Sequence, residues 1–391
     1  MIDRSGLELA AAFLFWVSIG FIFYTYIGYF LLLKVLSKVK KASRFQDSLH
    51  RPSVSMLISA YNEESTIRAK LDNCRSLDYP ADRIEFLVGS DGSSDRTAAI
   101  VRDFGDPRVR LFEFARREGK ASVLNKIVSQ AEGDVLVFSD ANTMYVPDAV
   151  RCMTVHFADP GIGGVCGNLK LVNPNDNIGG KGETVYWRYE NVLKALEGSI
   201  RTVFGATGGI YAIRRSLFEP LPIARTNVSD DFLIPLKVVE KGYDVVYEAA
   251  AEARENASVR MQDEFSRKVR IGSADYFAIS RIRKLLNPFR GFVAFGLWSH
   301  KVIRWMVPFF LLLLLAANAL LLDRSLYRVF GVLQGLFYLS AGFGWLISRL
   351  GGKPKLLAFI YYFVIINSAL LVGFVRYVAG IQKPTWTRLE R

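Results

Sequence analysis

Four long uncharged stretches frame a middle region in which short apolar runs alternate with amphipathic segments. Leu9 to Leu33, Val307 to Leu322, Val329 to Ile347 and Leu356 to Val375 carry no charged side chain. Each is about long enough to cross a hydrocarbon core of roughly 30 Å as a helix. Between them, strands are expected at Val54–Ile58, Ile84–Val88, Arg108–Phe114 and Asp134–Ser139, with helices at Ser65–Leu77, Asp95–Asp103 and Lys120–Ala131. That alternation predicts an α/β domain on a mostly parallel sheet, with its ligand crevice at the carboxyl ends of the strands. The second half is more mixed. Gly163–Val172 reads as a strand, Thr184–Glu197 as a helix, Gly205–Arg214 as a glycine-rich turn and strand, the stretch from Asp231 to Lys241 as a helix, and Tyr243–Glu248 as a short strand.

Four parts follow from this pattern: an anchor with a basic flank (1–45), an α/β domain (46–283), an interfacial amphipathic segment (284–305), and further spans with a basic tail (306–391). In the third part aromatic and basic residues alternate around Pro288 and Gly291, so it is expected to lie under the domain with its Arg and Lys stems snorkelling to headgroups. Lys34, Lys38, Lys40, Lys41 and Arg44 follow the first span directly. By the positive-inside rule they place the α/β domain in the cytoplasm of a multi-pass protein of the cell (inner or plasma) membrane. Arg349, Lys353 and Lys355 agree with that orientation, whereas Arg376, Lys383, Arg388 and Arg391 do not if all four stretches cross.

The net charge of +13 is accounted for by these membrane edges, and no nucleic-acid-binding module is visible. Three cysteines without paired spacing and only three histidines argue against zinc.

The candidate chemistry is acidic and falls where strands end. Asp91 opens the turn Asp91-Gly92-Ser93-Ser94-Asp95. There it can accept hydrogen bonds from a base or ribose, or it can be an ordinary turn residue beside a capping Asp95. Asp140, in Ser139-Asp140-Ala141-Asn142, ends an apolar strand, where a lone carboxylate is costly unless paired or bound to a cation. A hard ion such as Mg2+ or Mn2+ would take its oxygen together with nucleotide phosphates, and Asn142 could add an amide oxygen. An Asx turn is the bland alternative. Of Asp230 and Asp231, one can cap the helix they begin while the other faces the crevice as a general base. Lys120 and the group Arg267-Lys268-Val269-Arg270 offer positive charge to a departing diphosphate, or are solvated surface charges.

Taken in order, these motifs resemble the membrane-embedded family 2 glycosyltransferases, the group of cellulose, hyaluronan and poly-N-acetylglucosamine synthases. The resemblance runs from about Ser53 to Trp305. It implies a GT-A domain that binds a nucleotide-sugar, usually UDP-linked, and transfers the sugar with inversion to a polysaccharide or lipid acceptor at the bilayer. By resemblance Ala60, Asn62 and Glu63 line the nucleotide pocket, Asp91 contacts the base, Lys120 lies near the nucleotide, and Arg267 and Arg270 serve the diphosphate. Asp140 matches the first Asp of the Asp-x-Asp metal motif, with Asn142 in the place of the second. Asp231 matches the base, beside Asp230, and Gly208 and Gly209 match the acceptor-side element. The family's Gln-x-x-Arg-Trp appears here as Arg267-Lys268-Val269-Arg270-Ile271. Absence of that Trp weakens the case for long-chain processive synthesis, so single-sugar transfer to a lipid acceptor stands as an alternative within surface polysaccharide or glycolipid synthesis, and with Asn142 it motivates the opposing reading of an inactive nucleotide-binding scaffold.

Overall fold

The computed structural model describes residues 4–172, 178–223, 228–256, 261–350 and 355–382. Lys353, Lys383, Arg388 and Arg391, which bear on the orientation of the last segments, lie outside them.

The strands are β1 (Val54–Ala60), β2 (Ile84–Asp91), β3 (Val109–Phe114), β4 (Val135–Asp140), β5 (Met144–Tyr145), β6 (Ile162–Val172), β7 (Tyr211–Arg214) and β8 (Asp244–Asn256). They form one sheet in the order β3-β2-β1-β4-β7-β6-β8-β5. The first four pair in parallel, β6 pairs in parallel with β8, and the remaining contacts are antiparallel. The expected α/β domain is therefore present on a mixed sheet.

Period-two alternation explains why β1 is buried along its whole length. Leu57 points into one apolar cluster, and Met56 and Ile58 point into the other across the sheet. Register places Ser59 of β1 beside Asp140 of β4, so the carboxyl ends of the central strands open on one side. The strand expected at Tyr243–Glu248 runs on to Asn256. The stretch Ala249-Ala250-Ala251-Glu252 has helix-favouring composition, but pairing of Glu252–Asn256 with Asn168–Val172 of β6 overrides that propensity.

Among the described residues four helical segments are long and apolar enough to cross a membrane: Ser5–Val39, Phe292–Leu320, Ser325–Arg349 and Phe359–Ala379. The second departs from the expected division at residue 305, because the helix continues from Phe292 through a π-turn at Trp298–Val302 into Ile303–Leu320. Its basic residues do not snorkel. Lys301 and Arg304 turn inward to the buried Glu190 of helix Ile178–Ile200, at 2.7 and 2.8 Å.

Helix Met261–Arg281 joins the two halves of the molecule. Tyr276, Phe277, Trp305 and Leu370 belong to the same apolar cluster as Leu57 and Leu136 of the sheet. Close approach to the last helix is permitted by Gly373, where a Cβ would sit 2.8 Å from the Val269 carbonyl oxygen.

Candidate active site

The carboxyl ends of β1 and β4, the start of helix Asp230–Glu240 and helix Met261–Arg281 enclose one cavity of about 1670 Å³. Glu63, Lys120, Asp140, Asn142, Gly208, Gly209, Asp230, Asp231, Arg267 and Arg270 all line it. Ten of the residues singled out from sequence thus meet in one place, although they span over two hundred positions of chain.

Lys120 is the hub. Its Nζ lies 2.8 Å from Asp140 Oδ1 and 3.1 Å from Asp230 Oδ1. Burial opposes the ammonium charge, but the fields of Asp140 and Asp230 outweigh it and hold the lysine protonated well above its usual range. Asp230 is itself buried, and its other oxygen accepts the Tyr211 hydroxyl at 2.9 Å. Burial raises its pKa to about 6, a shift that Lys120 opposes and Asp231 and Asp140 reinforce. Asp230 therefore sits between Lys120 and Tyr211, a placement that does not suit the capping role open to it in the sequence. Asp231 does not cap either: its Oδ1 accepts the Ser229 hydroxyl at 2.8 Å. Its Oδ2 leans on the glycine-rich loop, 3.1 Å from where a Cβ at residue 208 would be.

Asp91 is placed differently from the expected base contact. It is fully buried and does not line the cavity. Its two oxygens accept the backbone N–H groups of Glu118 and Gly119 at 2.7 and 2.9 Å. The side chain thereby pins the loop that delivers Lys120, the first residue of helix Lys120–Val128. Ala60 is buried at the end of β1, away from the cavity. Asn62, with φ of 53°, ties two loops together by accepting Ser94 N–H at 2.8 Å and donating its own N–H to Ser93 at 3.2 Å. Of that trio only Glu63 reaches the cavity. Asp95 accepts the N–H groups of Glu64 and Thr97, as a turn residue should.

Arg267 is gripped by Glu264 through two hydrogen bonds of 2.8 and 3.0 Å. Arg270, three residues on, faces the fields of Asp140, Asp231 and Asp230. The Asn142 amide donates to Glu255 at 3.4 Å, and the Thr143 hydroxyl donates to the other oxygen of Glu255 at 3.2 Å.

Asp140, Asn142 and Glu255 line the same wall. Among the described residues no group of three or more His, Cys, Asp or Glu forms a complete cage. An all-oxygen set of this size fits a hard divalent ion that takes its remaining ligands from phosphates and water.

Sequence reasoning missed several residues that shape the cavity. Lys70 is buried and donates to Ser139 Oγ and the Thr143 carbonyl at 2.8 and 2.6 Å, bracing the loop that carries Asp140. A signal was present: Lys70 falls in the buried stripe Ile67, Lys70, Leu71 and Cys74 of its helix. Lys194 likewise donates to Thr207 Oγ1 at 2.6 Å, bracing the glycine-rich loop. Glu255, Asp275, Trp187 and Trp305 also line the cavity. Ile271 occupies the position of the absent Trp, and Trp305 supplies an aromatic wall from another helix, packed edge-on against Phe232 at 5.3 Å.

Comparison with known proteins is consistent with this arrangement. Residues 55–221 match the model for glycosyl transferase family 2. Poly-beta-1,6-N-acetyl-D-glucosamine synthase of Staphylococcus aureus (strain COL) is 29% identical over 206 residues, covering 51% of this chain and 48% of that protein. The synthase of the same name from Staphylococcus epidermidis is 30% identical over 210 residues with the same coverage. The chain thus spans about half the length of these curated relatives. The solved mannosyltransferase PcManGT from Pyrobaculum calidifontis, in complex with GDP-Man and Mn2+, superposes with a TM-score of 0.75 at 21% identity, over 96% of this chain and 100% of that one. The fold is shared.

Proposed function

From a chain that carries a family 2 glycosyltransferase domain on a GT-A fold, we propose an inverting transfer of one sugar from a nucleotide-sugar to a lipid-linked acceptor. The observation that carries the acceptor assignment is the continuity of the cavity. It begins at Asp140 and Asp231 and extends between apolar helices, where Ile22, Phe23, Leu314, Phe337 and Phe363 line it. Such walls suit a hydrocarbon chain rather than a hydrated polysaccharide. The donor we assign is UDP-linked, on the resemblance to UDP-sugar synthases. GDP-mannose, held by the mannosyltransferase of similar fold, is the comparison.

In this reading the acceptor hydroxyl attacks the anomeric carbon as the bond to the diphosphate breaks, in one displacement. Asp231 takes the hydroxyl proton, with its carboxylate oriented by Ser229 and backed by Gly208. Lys120 and Arg270 place positive charge where the leaving diphosphate gains negative charge, and Asp230 and Asp91 hold Lys120 there. Asp140, Asn142 and Glu255 would hold Mg2+ or Mn2+, which supplies further neutralisation of the diphosphate when bound. The basic residues after the first span put this chemistry on the cytoplasmic face.

The test uses the full chain reconstituted in lipid with Mn2+, a panel of UDP- and GDP-sugars, and prenyl-phosphate-linked saccharide acceptors. Labelled sugar should enter the lipid-extractable fraction as a single addition, and Asp231→Asn should lower the rate by about 100-fold or more with donor affinity unchanged. Accumulation of water-soluble polymer would favour the processive alternative. Full transfer by Asp231→Asn would remove the assigned base, and wild-type protein that binds nucleotide but releases none from any sugar donor would favour the scaffold.

A further inference from the structure

Between the carboxylates and the apolar walls, the cavity passes a belt of cations that the transfer reaction does not use. Lys268, Lys301 and Arg304 line it, with side chains only 11, 14 and 12% exposed. Lys301 and Arg304 share one carboxylate, Glu190. Lys268 and Arg267 share another, Glu264, with Lys268 the more distant at 3.6 Å. Behind the belt, His300 pairs with Glu197 at 2.6 Å and reaches Glu190 at 3.1 Å. Asp275 is the third acid of the belt, and burial lifts its pKa to about 8, with Asp231 raising it further against the pull of Lys301 and Lys268. At neutral pH it is protonated. Among the described residues the belt thus gathers three cavity-lining cations, Lys268, Lys301 and Arg304, around two carboxylates, Glu190 and Glu264, the second of which Arg267 also grips. Buried charge of one sign calls for a counterion.

The belt is distinct from the donor's cations. Lys268 and Arg270 are two residues apart on one helix and so diverge by about 200°. Arg270 faces Asp140, Asp231 and Asp230, whereas the Lys268 ammonium lies 4.6 Å from the Tyr186 ring centroid. Arg304 lies 4.9 Å from the same ring. Arg304 also lies 6.0 Å from the Tyr26 ring, and Phe337, Phe363 and Ile366 belong to the same lining. Asp275 feels Asp231 as well as Lys301 and Lys268, so the belt adjoins the proposed base.

We infer that Lys268, Lys301 and Arg304 form a subsite for the phosphate or diphosphate of a lipid acceptor, set between the base and the hydrocarbon groove. The inference rests on the lipid-acceptor reading and specifies its anionic headgroup. An acceptor seated this way has its phosphate at the belt, its hydrocarbon between the membrane helices, and its hydroxyl toward Asp231.

Binding to the full-length protein in neutral detergent, read by fluorescence of the cavity tryptophans Trp187 and Trp305, separates the possibilities. Farnesyl phosphate should bind at least about tenfold more tightly than farnesol, and Lys268→Gln should erase most of that advantage while leaving UDP affinity unchanged. Because Arg304→Gln alone takes from Glu190 one of the two cations that share it, the paired variant Arg304→Gln with Glu190→Gln serves as the second probe, and it should show the same selective loss. Equal binding of farnesyl phosphate and farnesol would overturn the phosphate subsite and leave the lipid groove standing. Binding of neither would remove the lipid-acceptor reading itself. Displacement of farnesyl phosphate by inorganic phosphate at equal concentration would assign the belt to free phosphate, and a parallel loss of UDP affinity in Lys268→Gln would assign it to the donor.

Discussion

Replacing Asp91 by Asn tests whether this carboxylate is a clamp or a nucleotide contact. The change is isosteric, but the Asn side chain offers one acceptor oxygen to two backbone N–H groups, those of Glu118 and Gly119. One charge-assisted bond becomes neutral, and the other N–H is left facing an amide NH2, two donors in contact within a fully buried site. Weakening the first and orphaning the second costs roughly 2–4 kcal/mol together. In a domain of this size that lowers the unfolding midpoint by about 4–16 °C. The measurement is thermal unfolding of the detergent-solubilised protein without nucleotide, alongside UDP binding. The loss should be present in the nucleotide-free protein, and transfer should fall as well, since Lys120 loses the loop that aims it at Asp140 and Asp230. An unchanged midpoint with loss confined to nucleotide affinity would refute the clamp and restore Asp91 to the role expected from sequence.

Three further outcomes follow from the geometry. Gly208→Ala places a methyl 3.1 Å from Asp231 Oδ2, so the carboxylate must shift by a few tenths of an ångström, and kcat should fall roughly tenfold with the donor KM unchanged. Glu255→Gln should weaken Mn2+ binding by about tenfold, read by the EPR signal of free Mn2+ before any sugar donor is added, because it removes the negative charge beside Asn142. Asp275, whose carboxyl is raised from 3.8 to about 8 in the folded protein, takes up a proton on folding across that interval, so its contribution to stability is fullest at low pH and is lost as pH rises through about 8. Asp275→Asn should remove that dependence, its midpoint relative to wild type rising steadily from about pH 4 to pH 8 and then levelling; a constant offset would show that Asp275 is ionised throughout.

Much of the fold could be read from the sequence because it rests on local rules. Uncharged stretches long enough to cross a bilayer became helices, and β1, β2, β3 and β4 lie where short apolar runs and turn residues put them. Because a parallel sheet presents its strand ends together, Asp140 was legible as a residue of the crevice, and Lys120, expected there by resemblance, lies 2.8 Å from it. The errors have local causes too. Asp91 reads as an open-turn acid, since nothing nearby in sequence announces that Glu118 and Gly119 will supply its partners. The basic run around Lys301 reads as a membrane-surface segment because its counter-charge, Glu190, lies on a helix more than a hundred residues earlier.

The sequence by itself determined the apolar spans, the main strands and helices up to Asp140, and the order of the acids along them, because hydrophobic patterning and turn chemistry act over a few residues. Tertiary structure alone decided how the two adjacent acids are placed: Asp230 is bound to Lys120 and Tyr211, while Asp231 is directed at the glycine-rich loop. It also decided that the sheet and the membrane helices share one core and one cavity, so that Glu255, Trp305 and the Lys268, Lys301 and Arg304 belt meet the motif residues. Those are relations of burial and distance between remote segments, and they arise only when packing against helix Met261–Arg281 brings the segments together.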